Sequence, residues 1–301
     1  MGEDARRIAY VYDFAQLDRA PDNPTSAKVA PRRLLSGPSL STGKSSTVGA
    51  VLTGQHIILT LGTQARGSGA KAHTHPNEQF NYIVQGVMTG EIEGELVFAP
   101  RGTVLHTPAR AVHTGLACPD EDLIFLAMKD TRHGIVGPPV DGKYEGPNYL
   151  PGFGVRSGER MRSTSELIAE SGRDPAGEKT CYVYDFERLA EKPGRQSSAQ
   201  AAQQILSGLA SAVPLVTGEM LHVALVRYSP GRSGDTHQHS NEQFTFVVEG
   251  ALDAVVEGWH ATVRERCILH VPPGIPHRLT AAADREALAV TVQDTRYPFA
   301  G

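Results

Sequence analysis

Two short segments of this chain hold histidines at a spacing that metal chemistry can use. His73-Thr74-His75 and His237-Gln238-His239 each set two imidazoles two residues apart. Side chains on a strand alternate faces with a period of two, so both rings of a pair can reach one point. Four residues after the second histidine stands Gln79 in one segment and Gln243 in the other. Each opens an apolar run that reads as the next strand and can bring an amide oxygen to the same point. A third imidazole follows behind a turn, His113 after Pro108 and His277 after Pro272. Three imidazoles and one oxygen suit Fe, Mn, Ni, Cu or Zn better than Ca or Mg, and they leave positions open for water or substrate. Glu78 and Glu242 precede the glutamines by one residue and should face the other side of the strand. His106 and His270, two residues before the prolines, are expected to point into the barrel beside the metal as acid–base groups or hydrogen-bond donors. Their alternative is to face solvent or satisfy a backbone carbonyl.

These residues belong to a duplication. HTHPNEQF at 73–80 returns as HQHSNEQF at 237–244. The same 164-residue offset relates Gly86 to Gly250, His106 to His270, Pro108 to Pro272, His113 to His277 and Asp130-Thr131-Arg132 to Asp294-Thr295-Arg296. The two halves align without a gap from residue 51 to 132. Further upstream, Tyr10-Val11-Tyr12-Asp13-Phe14 recurs as Tyr182-Val183-Tyr184-Asp185-Phe186, an aromatic edge strand in each half whose expected role is structural, such as pairing with the other domain. A period this long means a duplicated domain rather than a solenoid. We therefore expect an N-terminal domain at 1–135, a Gly/Pro-rich connection at 136–180 and a C-terminal domain at 181–301. Ser163 and Glu166 have capping-box spacing for a short helix in the connection. The Gln-rich stretch at 196–208 is a second helix candidate.

Within each half, short runs such as HIILTLGT and DLIFLAMKD, with partners LHVALVRYSPG and ALAVTVQD, alternate apolar and polar residues or run briefly apolar between Gly and Pro. Several such strands at 8–12-residue spacing mean an antiparallel sandwich or barrel. The Asp-Thr-Arg motif is expected to close a turn or to form an ion pair between domains.

Composition narrows the partners. Of 301 residues, 29 are basic and 33 acidic, a formal net charge of −4, which argues against a surface that tracks the phosphates of a nucleic acid. A membrane partner is not expected either, since the apolar runs are short and the first ten residues show no secretory h-region. Three widely spaced cysteines, Cys118, Cys181 and Cys267, point to a reducing, cytoplasmic setting without a disulfide framework.

The two repeated blocks resemble the cupin motifs G(x)5HxH(x)3-4E(x)6G and G(x)5PxG(x)2H. The first motif runs from Gly67 through His73, His75 and Gln79 to Gly86, and again from Gly231 through His237, His239 and Gln243 to Gly250. The second runs from Gly102 through Pro108 and Arg110 to His113, and again from Arg266 through Pro272 and Gly274 to His277. Three departures stand out: glutamine replaces the acidic ligand in both halves, Arg110 replaces one second-motif glycine, and Arg266 replaces one opening glycine. The resemblance implies an all-β chain of two tandem double-stranded β-helix (jelly-roll) barrels with few short helices. It also implies one divalent transition metal per domain, Fe(II) first, with Mn, Ni, Cu, Co or Zn as alternatives, held by the eight residues named above.

A neutral three-His, one-Gln cage would leave the metal its full positive charge and favour an anionic or enolate ligand. The function expected from the resemblance is an Fe(II)-type dioxygenase acting with O2 on a small aromatic, enol or carboxylate-bearing metabolite. The alternatives are a non-redox isomerase, lyase or cyclase, and a binding bicupin without turnover. A homodimer is expected.

Overall fold

The computed structural model describes residues 10–17, 28–34, 47–135, 137–142, 163, 165–166, 182–185 and 213–299. Strands dominate. In chain order those of the first half are β1 (Val11–Asp13), β2 (Lys28–Leu34), β3 (Val48–Thr53), β4 (Ile57–Gln64), β5 (Gln79–Gln85), β6 (Val87–Ile92), β7 (Glu95–Pro100), β8 (Thr103–Thr107), β9 (Leu116–Ala117) and β10 (Leu123–Asp130). Those of the second half are β11 (Val183–Asp185), β12 (Leu215–Thr217), β13 (Leu221–Tyr228), β14 (Gln243–Glu249), β15 (Ala251–Val256), β16 (Trp259–Arg264), β17 (Cys267–Val271), β18 (His277–Ala281) and β19 (Ala287–Asp294).

The described residues form two compact units. The first barrel takes those of Pro31–Val51 and Ile58–Asp185, and the second barrel those of Met1–Ala30, Leu52–Ile57 and Phe186–Gly301. In the first barrel a seven-stranded sheet, ordered β11-β8-β5-β10-β4-β3-β2, accompanies a three-stranded sheet β7-β6-β9. In the second, a six-stranded sheet β1-β17-β14-β19-β13-β12 accompanies β16-β15-β18. This is the jelly-roll pairing of a larger and a smaller antiparallel sheet expected for each half.

Each core lies between its two sheets. Ile83 and Leu105 of the larger sheet and Met88, Val97 and Ala117 of the smaller are buried together in the first barrel. Val226, Leu269, Leu252 and Leu279 repeat the arrangement in the second. Each such side chain contributes roughly 1.5–3 kcal/mol of apolar burial. The small sheets turn on two-residue hairpins. Ile92 pairs with Glu95 across Glu93-Gly94, with φ of 51° and 78°, and Val256 pairs with Trp259 across Glu257-Gly258, at 49° and 78°. Positive φ at both central residues is the type I′ turn, whose twist matches that of the flanking strands.

The linear boundaries expected at 135 and 181 do not describe the two aromatic strands. β1 adds to the edge of the second barrel, with Val11 opposite Leu269 and Asp13 opposite Cys267. β11 adds to the edge of the first, with Val183 opposite Leu105 and Asp185 opposite Thr103. Each repeat's aromatic strand is thus housed in the unit built from the other repeat, and Tyr10 and Tyr12, at 4% and 2% exposure, are core residues there. The structural role expected for these strands is the one observed. In the connection, Ser163 N–H donates to Glu166 Oε2 at 2.7 Å and Glu166 N–H to Ser163 Oγ at 3.2 Å, the reciprocal capping-box pair. The candidate helix at 196–208 and Cys181 lie outside the described residues.

Candidate metal centres

His73 and His113 face each other across an antiparallel bridge, each N–H donating to the other's carbonyl at 3.0 Å. His237 and His277 do the same at 3.0 and 2.8 Å. This backbone pairing carries the late histidine of each half to the early His-x-His. His73, His75 and His113 bring ligand atoms within 4.8 Å of one another, and so do His237, His239 and His277. The ring centroids of His73 and His113 are 4.2 Å apart, and those of His237 and His277 4.3 Å.

Backbone carbonyls fix which nitrogen faces the centre. Nδ1 of His73, His75 and His113 donates to the carbonyls of Lys71, Asn77 and Ala111 at 2.7, 2.9 and 2.9 Å. In the second barrel Nδ1 of His237, His239 and His277 donates to Asp235, Asn241 and Ile275 at 3.1, 2.9 and 3.0 Å. A carbonyl can only accept, so each Nδ1 bears a proton, and in the neutral ring each Nε2 presents its lone pair to the shared centre. Nε2 of His113 and of His277 is buried without a hydrogen-bond partner. Burial, followed by Lys129 and His73, pushes His75 down to about 3, and burial followed by His237 does the same to His277. Burial also holds His113 and His239 below the usual histidine range. Imidazoles aiming lone pairs at one another, five of the six rings being buried, are stabilised by a cation at their focus, so the donor set fits a divalent transition metal.

Both glutamines lie beside these clusters and line the barrel cavities. Gln243 Oε1 is 3.1 Å from His239 Nε2 while accepting from Gln293 Nε2 at 2.6 Å. Since His239 carries its proton on Nδ1, the 3.1 Å contact sets two lone pairs facing, again a geometry that a cation relieves. Gln79 Nε2 donates to Asn81 Oδ1 at 2.9 Å, which leaves its amide oxygen on the His75 side.

His106 and His270 are not where we expected them. Neither lines the cavity of its barrel. His106 Nε2 is 2.8 Å from Glu78 Oε1, and its ring stacks on Phe80 at 4.4 Å with 10° between planes. His270 Nε2 is 2.9 Å from Glu242 Oε1 and stacks on Phe244 at 4.4 Å and 14°. The cause is strand register. Gln79 sits opposite Thr107 and Phe80 opposite His106, so His106 shares the face of Phe80 and Glu78, away from the metal ligands. Glu78 and Glu242 do face the other side, as their position implied, and both are almost fully buried. Burial works to raise Glu242, but His270 and the N–H groups of His56 and Gln55 outweigh it and hold the carboxyl low.

The Asp-Thr-Arg motif closes a turn. Asp130 accepts Glu78 N–H at 2.7 Å and pairs with Arg132 at 2.9 Å, and Asp294 does likewise with Glu242 N–H at 2.8 Å and Arg296 at 2.7 Å. Asn77 Nδ2 donates to the Asp130 carbonyl at 2.8 Å, and Asn241 Nδ2 to that of Asp294 at 2.7 Å. Each Asn-Glu-Gln segment is thereby clamped to the turn after the last strand, which holds the adjacent His75 or His239 in place.

Three site residues went unnoticed in the sequence: Lys129, Gln293 and Gln64. Lys129, at 3% exposure on β10, sits opposite Gln79 in register. Its Nζ donates to His75 Nε2 at 3.0 Å and to the Ile135 carbonyl. Burial lowers Lys129 to about 7, against the pull of Asp130. Gln293 is its counterpart at the 164-residue offset, so comparing the two repeats position by position is the signal that finds the pair. Gln64 Nε2 donates to Thr47 Oγ1 at 2.7 Å and lies 3.4 Å from the Gly115 carbonyl, which fixes the amide's orientation and leaves Oε1 buried without a partner. The first-barrel cavity holds about 60 Å³ of water-accessible room and the second about 30 Å³.

A model of the Cupin domain family matches residues 50–129 and 224–293, the stretches that carry both histidine clusters. No curated protein sequence matches the chain. Among solved structures, salicylate 1,2-dioxygenase from Pseudaminobacter salicylatoxidans superposes over 91% of this chain and 85% of its own, with a TM-score of 0.58 and 18% identity. AerE from Microcystis aeruginosa covers 90% and 97% at a TM-score of 0.57 and 13% identity. Ylba from E. coli covers 92% and 93% at 0.55 and 12%. At these identities the likeness is one of fold.

Proposed function

The chain is a bicupin, a protein of two cupin domains, and from that premise we propose that it is a metal-dependent enzyme acting on a small anionic metabolite, with Fe(II)-type dioxygenase chemistry as the first reading. The observation that carries the proposal is the convergence of three Nε2 lone pairs in each barrel, all buried except that of the half-buried His237, with one in each barrel lacking any hydrogen-bond partner. His73, His75, His113 and Gln79 would hold one metal, and His237, His239, His277 and Gln243 the other. A bound divalent ion supplies Lewis acidity there, and iron in addition supplies the capacity to activate O2.

The chain's own contribution is electrostatic and positional. All eight proposed ligands are neutral, so no carboxylate offsets the ion's charge, and an anionic oxygen of the substrate is favoured beside it. The Nδ1–carbonyl bonds orient every ring before a ligand arrives, and the Asn-Glu-Gln clamp holds His75 and His239 in that pose. Gln64 Oε1, buried and unpartnered in the first cavity, is placed to accept a hydrogen bond from a substrate hydroxyl. His106 and His270, held by Glu78 and Glu242 on the far face of their strands, have no part in this scheme.

The structural likeness to a salicylate 1,2-dioxygenase solved with bound gentisate supports the oxygenase reading. A specific observation favours the second reading, a non-redox isomerase, lyase or cyclase: Lys129 Nζ reaches a proposed ligand inside the cavity, and a movable proton there suits enolate chemistry. The experiment is turnover of hydroxylated aromatic and enol carboxylates by Fe(II)-loaded protein, with and without air. Consumption of O2 in step with substrate supports the dioxygenase, and equal anaerobic turnover supports the non-redox reading. No turnover of any member of the panel under either condition would count against both.

A further inference from the structure

The two cavities differ where the repeats are otherwise superposable. At the 164-residue offset, Lys129 of the first barrel becomes Gln293, Gln64 becomes Tyr228 and Gly115 becomes Leu279, and all six residues line the cavities. The second cavity has therefore lost its cation and its free amide acceptor, and larger side chains have filled it to about half the room of the first. Gln293 spends its amide within its own site, donating to Gln243 at 2.6 Å with His239 Nε2 at 3.3 Å. Lys129 instead donates to the Ile135 carbonyl and to the His75 ring. Its Nζ rests on the very lone pair that a metal at His75 would take, so a metal there releases the ammonium toward the cavity, where no carboxylate is among the lining side chains to receive it.

We infer that the two sites divide their work along this difference, and the inference rests on the metal reading above. The first barrel binds the substrate: Lys129 anchors a carboxylate or enolate oxygen beside the metal, and Gln64 Oε1 accepts a hydrogen bond from a hydroxyl a few ångströms along the same molecule. The second barrel holds its ion in a smaller cavity whose lining carries the Asp235 carboxylate and no lysine or arginine, and it takes no organic anion. The substrate class is accordingly a carboxylate bearing a neighbouring hydroxyl. A water needs roughly 10–15 Å³ of such room, so the portion of the molecule inside the first cavity amounts to about five non-hydrogen atoms.

The test uses the full chain loaded with Co(II), whose visible absorption reports a change of ligand, titrated with glycolate and with acetate. The parent should hold two cobalt ions per chain, bind one glycolate per chain and prefer it to acetate. Lys129→Gln should keep both cobalt ions and bind glycolate at least tenfold more weakly. Gln64→Leu should erase the preference for glycolate and serves where Lys129→Gln fails to fold. Glycolate binding by Lys129→Gln as tight as in the parent, or two equal glycolate sites per chain, would overturn the division of labour alone. Fewer than two cobalt ions in the parent would instead overturn the metal reading on which it rests.

Discussion

Lys129 is the residue whose cost is clearest. An ammonium in a buried cavity, supported by an imidazole and a carbonyl, is retained against its desolvation. Its ordinary value of 10.5 falls to about 7 in the folded protein, so between those values the unfolded chain holds a proton that the folded chain lacks. Stability from this group is complete above about 10.5 and declines as pH falls toward 7. Lys129→Gln, the residue that its sister site uses, should therefore raise the melting temperature of the metal-free protein at pH 7 by several degrees. The advantage should shrink as the pH is raised toward 10. An unchanged difference across that range in thermal melts would refute the assignment. Lys129 was not legible in advance because a lysine before an aspartate at a strand end reads as a solvated terminus until the register with Gln79 is known. The metal ligands were legible because they depend only on alternation along one strand and on a late histidine in each repeat. His106 failed for want of the same register, since its face is set by pairing with β5 and not by its own sequence.

At the scale of elements, the two departures from the cupin glycine pattern have a conformational meaning. Arg110 and Arg266 adopt φ of 65° and 63°, while their counterparts in the other repeat, Gly274 and Gly102, adopt 74° and 84°. The turns thus keep a left-handed residue whether or not glycine occupies it. A side chain in that region costs about 1–2 kcal/mol per residue, set against the larger entropy that glycine loses on folding. Arg110→Gly and Arg266→Gly should each stabilise the protein by up to about 1 kcal/mol, read as a rise in the denaturation midpoint at constant m-value. A loss of stability in either variant would mean that the arginine makes compensating contacts. Short strands and hairpins could be read from Gly, Pro and alternation, because those signals are local. Which strand of the larger sheet neighbours which could not, because that pairing is settled by contacts far apart in sequence.

The exchange of aromatic strands shows this most plainly at the scale of the molecule. Tyr12 stands among the first residues, yet its burial is in the second barrel, on a strand paired with β17. His270 N–H donates to the Tyr10 carbonyl at 2.8 Å, so β1 also lies against the strand that carries the Glu242 partner. Tyr12→Ala should cost about 3–5 kcal/mol. It should also loosen the metal of the His237 cluster and leave that of the His73 cluster in place, which metal analysis of single-site variants would detect. Equal loss from both sites would contradict the housing of β1. The duplication itself was plain in the repeated aromatic segments. Their exchange was one structural role among those expected, and the sequence pattern alone could not decide it, because two near-identical strands fit either barrel edge.

The central claim, that each barrel holds one metal on its three converging imidazoles, is tested most directly by the metal content of purified protein beside His75→Ala and His239→Ala. The account predicts two equivalents per chain in the parent and one in each variant. Two equivalents persisting in both variants would contradict it.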